Sequence, residues 1–289
     1  MHNDFFVNTE SRCIQSGEVL MKTTNRTWVH QPNPVGGSNS FTEKTIDADS
    51  IAKTQKLLDK AIAYAWYAVK SERRPPALTP IRWVWQLAAA YHSSCDTSQL
   101  MEEAAQGFAA CGRKNLAQWA AQKVKDEAGH DRLALLDIES MGYDAQSVVQ
   151  VLVPSAIKVL VDYFTQTVEA PDPIDCVGFS YVSERLGTFL GEEYIQSVQA
   201  FLPPGINATR WLRIHSGVGA EVKHIEETVK FVTQLTPQDQ VRVAKVCYET
   251  ALLRFSPPKE DYISDQELKH ILKPLELPHK QELKSDYRD

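Results

Sequence analysis

From residue 47 onward, apolar residues recur at three- and four-residue spacing in one segment after another, and no alternating strand of useful length interrupts them. That period fits helices with one buried face, so the chain is confined to an all-α packing. Candidate helices are DADSIAKTQKLLDKAIAYAWYAVKSE, LTPIRWVWQLAAAYHSS, DTSQLMEEAAQGFAACG and the long NLAQWAAQKVKDEAGHDRLALLDIESMG. DAQSVVQVLVPSAIKVLVDYFTQTVE follows, with Pro154 expected to break it. Beyond it come PDPIDCVGFSYVSERLGTFLGEEYIQSVQAFLPPG, NATRWLRIHSGVGAEVKHIEETVKFVTQL and TPQDQVRVAKVCYETALLRF, the last capped by Thr236 before Pro237. We expect an irregular N-terminal arm over 1–45, a single helical bundle over 46–255, and a polar C-terminal tail with one short helix over 256–289.

Bulk properties narrow the function. The net charge is -6 and no long basic block occurs, so neither nucleic acid nor an anionic membrane is an expected partner. No window approaches about 18 consecutive apolar residues and no leader pattern opens the chain, which leads us to expect a cytoplasmic protein. Cys13, Cys95, Cys111, Cys176 and Cys247 are scattered and free of any CxxC pair, as reduced structural thiols would be.

Two segments place a carboxylate three residues before a histidine within apolar surroundings: Glu127 and His130 in DEAGH, and Glu221 and His224 in GAEVKH. Residues at this spacing on a helix project from one face. Glu267/His270 and Glu276/His279 match too, whereas twenty Glu and eight His in 289 residues give about half a match by chance. The latter two lie in a charged, proline-flanked region and read as solvated pairs. The central two lie in long amphipathic helices, where buried carboxylates and imidazoles are costly unless a cation compensates them. Two Glu-x-x-His elements, joined by one Glu from each of two further helices, form a bundle-core dimetal site. Ligation of this kind favours iron or manganese.

The further carboxylates are Glu102 and Glu103 in QLMEEAAQG, Glu184 in YVSERLG, and Glu192 and Glu193 in LGEEYI. A ferritin-like four-helix core would draw on Glu102 and on Glu192 or Glu193. Glu184 lies among apolar and aromatic neighbours that suggest burial. The order DEAGH, YVSERLG, HSGVGAEVKH resembles the haem-oxygenase-like diiron oxidases and oxygenases over roughly residues 80 to 235. That resemblance implies a haem-oxygenase-like bundle and assigns Glu127, His130, Glu184, Glu221 and His224 to ligand positions. Family members usually carry another histidine one turn before the acid of the last motif, where this chain has Gly217. The nearest is His215, which on a regular helix points about 120° away from Glu221. It reaches the site only if SGVG is distorted.

The function implied is an O2-activating oxidase or oxygenase with two ferrous ions, acting on a small organic substrate such as a fatty or amino acid, with O2 as co-substrate. Lys158, Arg185, Arg210 and Arg213 are the cations considered for a substrate carboxylate. A ferritin-like metal-storage or peroxide-handling protein, and a metal-free thiaminase-like hydrolase with a Cys nucleophile, are the competing classes. A homodimer is the expected assembly.

Overall fold

The computed structural model describes residues 10–13, 19–22, 27–30, 47–69 and 76–278. The N-terminal arm differs from expectation. Its backbone forms a three-stranded antiparallel sheet in the order β1 (Glu10–Cys13), β2 (Val19–Lys22), β3 (Thr27–His30), with Cys13 opposite Val19 and Lys22 opposite Thr27. Strands of four residues sit at the lower limit of the length, about four to eight residues, over which alternation can be read in a sequence.

Among the described residues from 47 onward the chain is helical or connecting, apart from one isolated bridge between Tyr143 and Glu276, so the domain is all-α. α1 (Ala48–Val69), α3 (Thr97–Ala110), α4 (Lys114–Glu127), α7 (Ser155–Val168), α8 (Asp175–Gly187), α11 (Glu221–Thr233) and α12 (Pro237–Phe255) share one core. Phe164 and Phe179 stack within it at 4.1 Å, and Leu58, Phe108 and Tyr181 are fully buried. Each such side chain contributes about 1.5–3 kcal/mol through burial. A second core joins α2 (Pro80–Ser94), α5 (His130–Ser140), α6 (Ala145–Val151), α9 (Glu192–Phe201), α10 (Arg210–Ile214) and α13 (Asp265–Leu272).

Local chemistry sets several boundaries. Thr79 accepts a hydrogen bond from the Arg82 amide ahead of Pro80, and Thr236 does the same for Asp239 ahead of Pro237. Pro154 separates α6 from α7, which meet at 82°. No single helix among the described residues is long and apolar enough to cross a membrane.

Two further expectations need correction. The segment 115–142 is two helices, because Ala128 is extended (ψ 117°) and Gly129 is left-handed (φ 83°). Only glycine takes that second conformation without steric cost, and the alternating amphipathic pattern on either side hid the break. The C-terminal region is also more than a polar tail. Leu268 and Leu272 of α13 are fully buried in the second core, and Arg82 pairs with Asp265 while Thr79 Oγ1 donates to the same carboxylate at 2.7 Å.

Candidate metal centre

The Ala128–Gly129 break puts Glu127 at the last position of α4 and His130 at the first of α5. They meet across a turn rather than along one helix face, with His130 Nδ1 3.0 Å from Glu127 Oε2. His215 closes this group: Glu127, His130 and His215 each offer a ligating atom within 4.8 Å of the others. Buried Asp137 on α5 holds it there, accepting from the Trp211 amide at 3.0 Å and from Arg210 at 2.8 Å, so α10 is tied to α5. The His130 and His215 rings then meet edge to face at 4.7 Å.

Glu184, Glu221 and His224 make a second group with the same spacing, all three buried. Glu184 points inward because its neighbour Arg185 is held by Asp59 of α1 through two hydrogen bonds of 2.9 and 2.8 Å. Successive residues on a helix project about 100° apart, so anchoring one outward turns the other in. Lys123, one turn before Glu127 on α4 and itself buried, pairs with Glu184 Oε1. His224 Nε2 lies 3.6 Å from Asp126, leaving Nδ1 toward Glu184 and Glu221 at 4.0 and 3.7 Å.

Glu221 joins the two groups. Its Oε1 is 2.7 Å from His215 Nδ1. The chain between α10 and α11 is distorted as the His215 expectation required, and the glycines make that possible. A Cβ on Gly187 would lie 2.5 Å from the His215 carbonyl oxygen, and one on Gly217 would lie 2.6 Å from that of Thr188. The backbone of α8 and the 215–217 segment therefore touch directly.

The electrostatics follow from burial. Burial alone would raise Glu221, yet the His215 hydrogen bond and the charges of His215 and His224 outweigh it and hold the carboxyl at about 2. Glu127 behaves likewise: burial opposes ionisation, and the His130 bond with the charges of His215 and His130 bring it below its ordinary value. At Glu184 burial wins over Lys123 and, with the Glu221 charge nearby, pushes the carboxyl up to about 7. The Glu221 carboxylate raises His224.

Several side chains remain unsatisfied. Glu184 Oε2, Glu221 Oε2, His215 Nε2 and His224 Nδ1 are buried with no hydrogen-bond partner. Buried polar atoms in folded proteins are overwhelmingly paired, so four such atoms in one cluster mark a place where a partner belongs. Three carboxylates and three imidazoles, two of each with an unpartnered buried atom, are a donor set that divalent iron or manganese fits.

A cavity of about 220 Å³ opens on this cluster, with Glu127, Glu184, His215 and Glu221 in its wall. Its other walls are largely apolar, and none of the cysteines with described side chains lines it.

The remaining candidates lie elsewhere. Glu102, Glu103 and Glu193 are exposed, and Glu192 pairs with Arg213 at 3.1 Å, so the ligands a ferritin-like core would draw from those helices do not converge. Glu267 and His270 are exposed, as a solvated pair should be, and His279 lies outside the described residues. Of the cations considered, Lys158 pairs with Asp162 on the surface, Arg185 with Asp59, Arg210 with Asp137 and Arg213 with Glu192. None of these four lines the cavity. Sequence reasoning missed Lys123, Asp126 and Asp137. Lys123 and Asp126 carry a signal in hindsight, standing one turn and one residue before Glu127 in a helix whose other charges are solvated.

No family model and no curated protein matches the chain. Its fold does have a solved counterpart. The crystal structure of a domain of unknown function with a heme oxygenase-like fold, from Shewanella denitrificans OS217, matches with a TM-score of 0.55 at 18% identity, covering 80% of this chain and 94% of that one. The chain thus has a haem-oxygenase-like, all-α fold.

Proposed function

We propose that this protein is a non-haem diiron enzyme that uses O2 to oxidise a small organic molecule. The observation that carries the reading is the convergence of four unpartnered, buried ligating atoms from α8, α11 and the α10–α11 connection on one cluster, beside a largely apolar cavity. Glu127, His130 and His215 would hold one ion and Glu184, Glu221 and His224 the other, with Glu221 between them. Iron held there in the ferrous state would supply the electrons that dioxygen needs, and manganese is the other metal the donor set would accept.

The chain's own residues do the rest. His215 Nδ1–H donates to Glu221, which fixes the tautomer and leaves Nε2 as a ligand. Asp126, 3.6 Å from His224 Nε2, faces that nitrogen with its charge and favours the ring orientation that turns Nδ1 toward Glu184 and Glu221. The apolar cavity wall excludes water and admits a substrate beside Glu127 and Glu221. That cavity favours an enzyme over a storage protein, which needs no organic pocket. The absence of a described cysteine from its wall disfavours a thiaminase-like hydrolase.

Anaerobic titration with Fe2+ or Mn2+ tests the reading. Two ions per chain are expected for the wild type and for Glu102→Gln, and a loss of at least one for Glu221→Gln. Failure of the wild type to take up either metal overturns it.

A further inference from the structure

Among the described residues, the half-buried Arg254 stands out from the other arginines that pack against the fold, because no carboxylate pairs with it. Arg82, Arg113, Arg185, Arg210, Arg213 and Arg242 each hold an aspartate or glutamate. Arg254, in the last turn of α12, lines the cavity that opens on the carboxylate and imidazole cluster. Its Nε is buried without a hydrogen-bond partner, and burial with no opposing charge holds the group down to about 10. It is therefore still a cation at neutral pH. A cation that faces a cavity with no carboxylate held against it leaves its charge for an anion that is not part of the chain. Ser183, in the same wall, also has a buried hydroxyl with no partner.

The rest of the wall limits what that anion is attached to. Leu100, Met101, Leu160, Phe164, Phe179 and Leu186 are apolar. A cavity of roughly 150 Å³ holds a benzene, so 220 Å³ admits a body of about nine non-hydrogen atoms. A guanidinium fork matches a carboxylate through two parallel hydrogen bonds.

We propose that Arg254 is the anchor for the carboxylate of a small, mainly apolar organic acid, whose body lies along the cavity between Arg254 and Glu127. The assignment rests on the cavity being the substrate site of the proposed enzyme, and it names the substrate class: monocarboxylates of hexanoate or benzoate size. Arg254 binds the acid through charge and geometry and takes no part in holding metal.

The test compares acids with their neutral isosteres. Hexanoate and benzoate, each against hexanamide and benzamide, are titrated into wild type, Arg254→Gln and Arg254→Lys by calorimetry, with the change in tryptophan fluorescence, to which Trp211 in the cavity wall contributes, as a second readout. Wild type is expected to prefer each acid over its amide by about tenfold or more, the worth of a charge-assisted hydrogen bond. Arg254→Gln should lose the preference and Arg254→Lys keep part of it. Should Arg254→Gln fail to fold, the acid-to-amide ratio in wild type and its drop in Arg254→Lys decide. Equal affinity for acid and amide, no binding of either acid at millimolar concentration, an unchanged ratio in both variants, or tighter binding of phenyl phosphate than of benzoate each overturns the assignment. Running the titrations on metal-free and Mn2+-loaded protein separates the two readings. A protein that takes up no metal yet prefers acids through Arg254 sinks the diiron function alone. Normal uptake of two ions with no acid preference sinks the anchor alone.

Discussion

Replacing Lys123 by methionine probes the charge balance of the centre most directly. The substitution keeps an unbranched apolar stem and removes the ammonium that pairs with Glu184, where both side chains are almost fully buried. Taking one partner from a buried pair costs roughly 3–5 kcal/mol where the other group stays charged; because the Glu184 carboxyl lies at about 7 even beside Lys123, that cost is read above neutrality, at about pH 8.5, where wild-type Glu184 is ionised. Glu184 sits near Glu221, so the carboxylates left behind repel each other as well. For a chain of this size about 3 kcal/mol lowers the melting temperature by roughly 6–12 °C in metal-free protein. Adding Mn2+ should reverse the effect. A cation at a hundred times its dissociation constant stabilises by about 2.7 kcal/mol, and in the variant it no longer competes with an ammonium for Glu184. Calorimetric melts with and without Mn2+ should show a larger metal-induced shift for Lys123→Met than for wild type, and direct titration should show about tenfold tighter uptake, near 1.4 kcal/mol. If the variant melts like wild type without metal, or binds Mn2+ more weakly, then Glu184 is not part of a cation site and the electrostatic reasoning fails.

Gly129→Ala should cost about 1–2 kcal/mol from the left-handed backbone alone, since a Cβ there meets nothing within 4 Å; melts give the cost, and metal titration should show weaker uptake as the turn that joins Glu127 to His130 relaxes. Asp126→Asn removes the carboxylate facing His224 Nε2, so metal affinity should fall by roughly 10–100-fold with the melting temperature of metal-free protein little changed. The Asp265 carboxyl is held below its ordinary value by the Thr79 hydroxyl and by Arg82. Its stabilisation is therefore complete above the unfolded value near 3.9 and lost as pH falls through the lower folded value. Hydrogen exchange of residues 265–272, corrected for intrinsic rate, should accelerate in that acidic window, and Asp265→Asn should be fast throughout.

The sequence showed the helical class, the Pro154 break and the Thr236 cap plainly, because each is decided by a few adjacent residues. It also pointed to Glu127, His130, Glu184, Glu221, His224 and, through a distorted SGVG, His215, which the structure brings together in two linked groups. What it hid depends on long-range approach. Gly129 reads as one weak position in a good amphipathic run, and only its backbone angle reveals the break. Lys123 looks like any lysine of a polar face until α8 brings Glu184 against it, 61 residues later. Arg254 carries no local signal at all: an arginine in the last turn of a helix is usually a solvated complement to the helix dipole, and its lack of a partner is a property of the packed cavity.

The same dependence on helix ends explains why the centre is built from interrupted helices. Glu221 is the first residue of α11, where unpaired amides and the helix dipole favour a negative charge, in keeping with a carboxyl held at about 2. Glu127 ends α4, where the dipole disfavours a carboxylate. Its ionisation depends instead on His130 and His215, both supplied by elements of the other core. A continuous helix through 115–142 would leave Glu127 without the dipole penalty but would carry His130 along a single face, away from the position in which it meets His215 edge to face. The breaks at Gly129 and at 215–220 thus trade helical hydrogen bonds for convergence of side chains from both cores on one cluster. That trade is reasonable only if something bound there returns the stability, which is why the metal-induced shift, rather than the melting temperature of the metal-free protein, is the quantity that decides between a functional centre and an accident of packing.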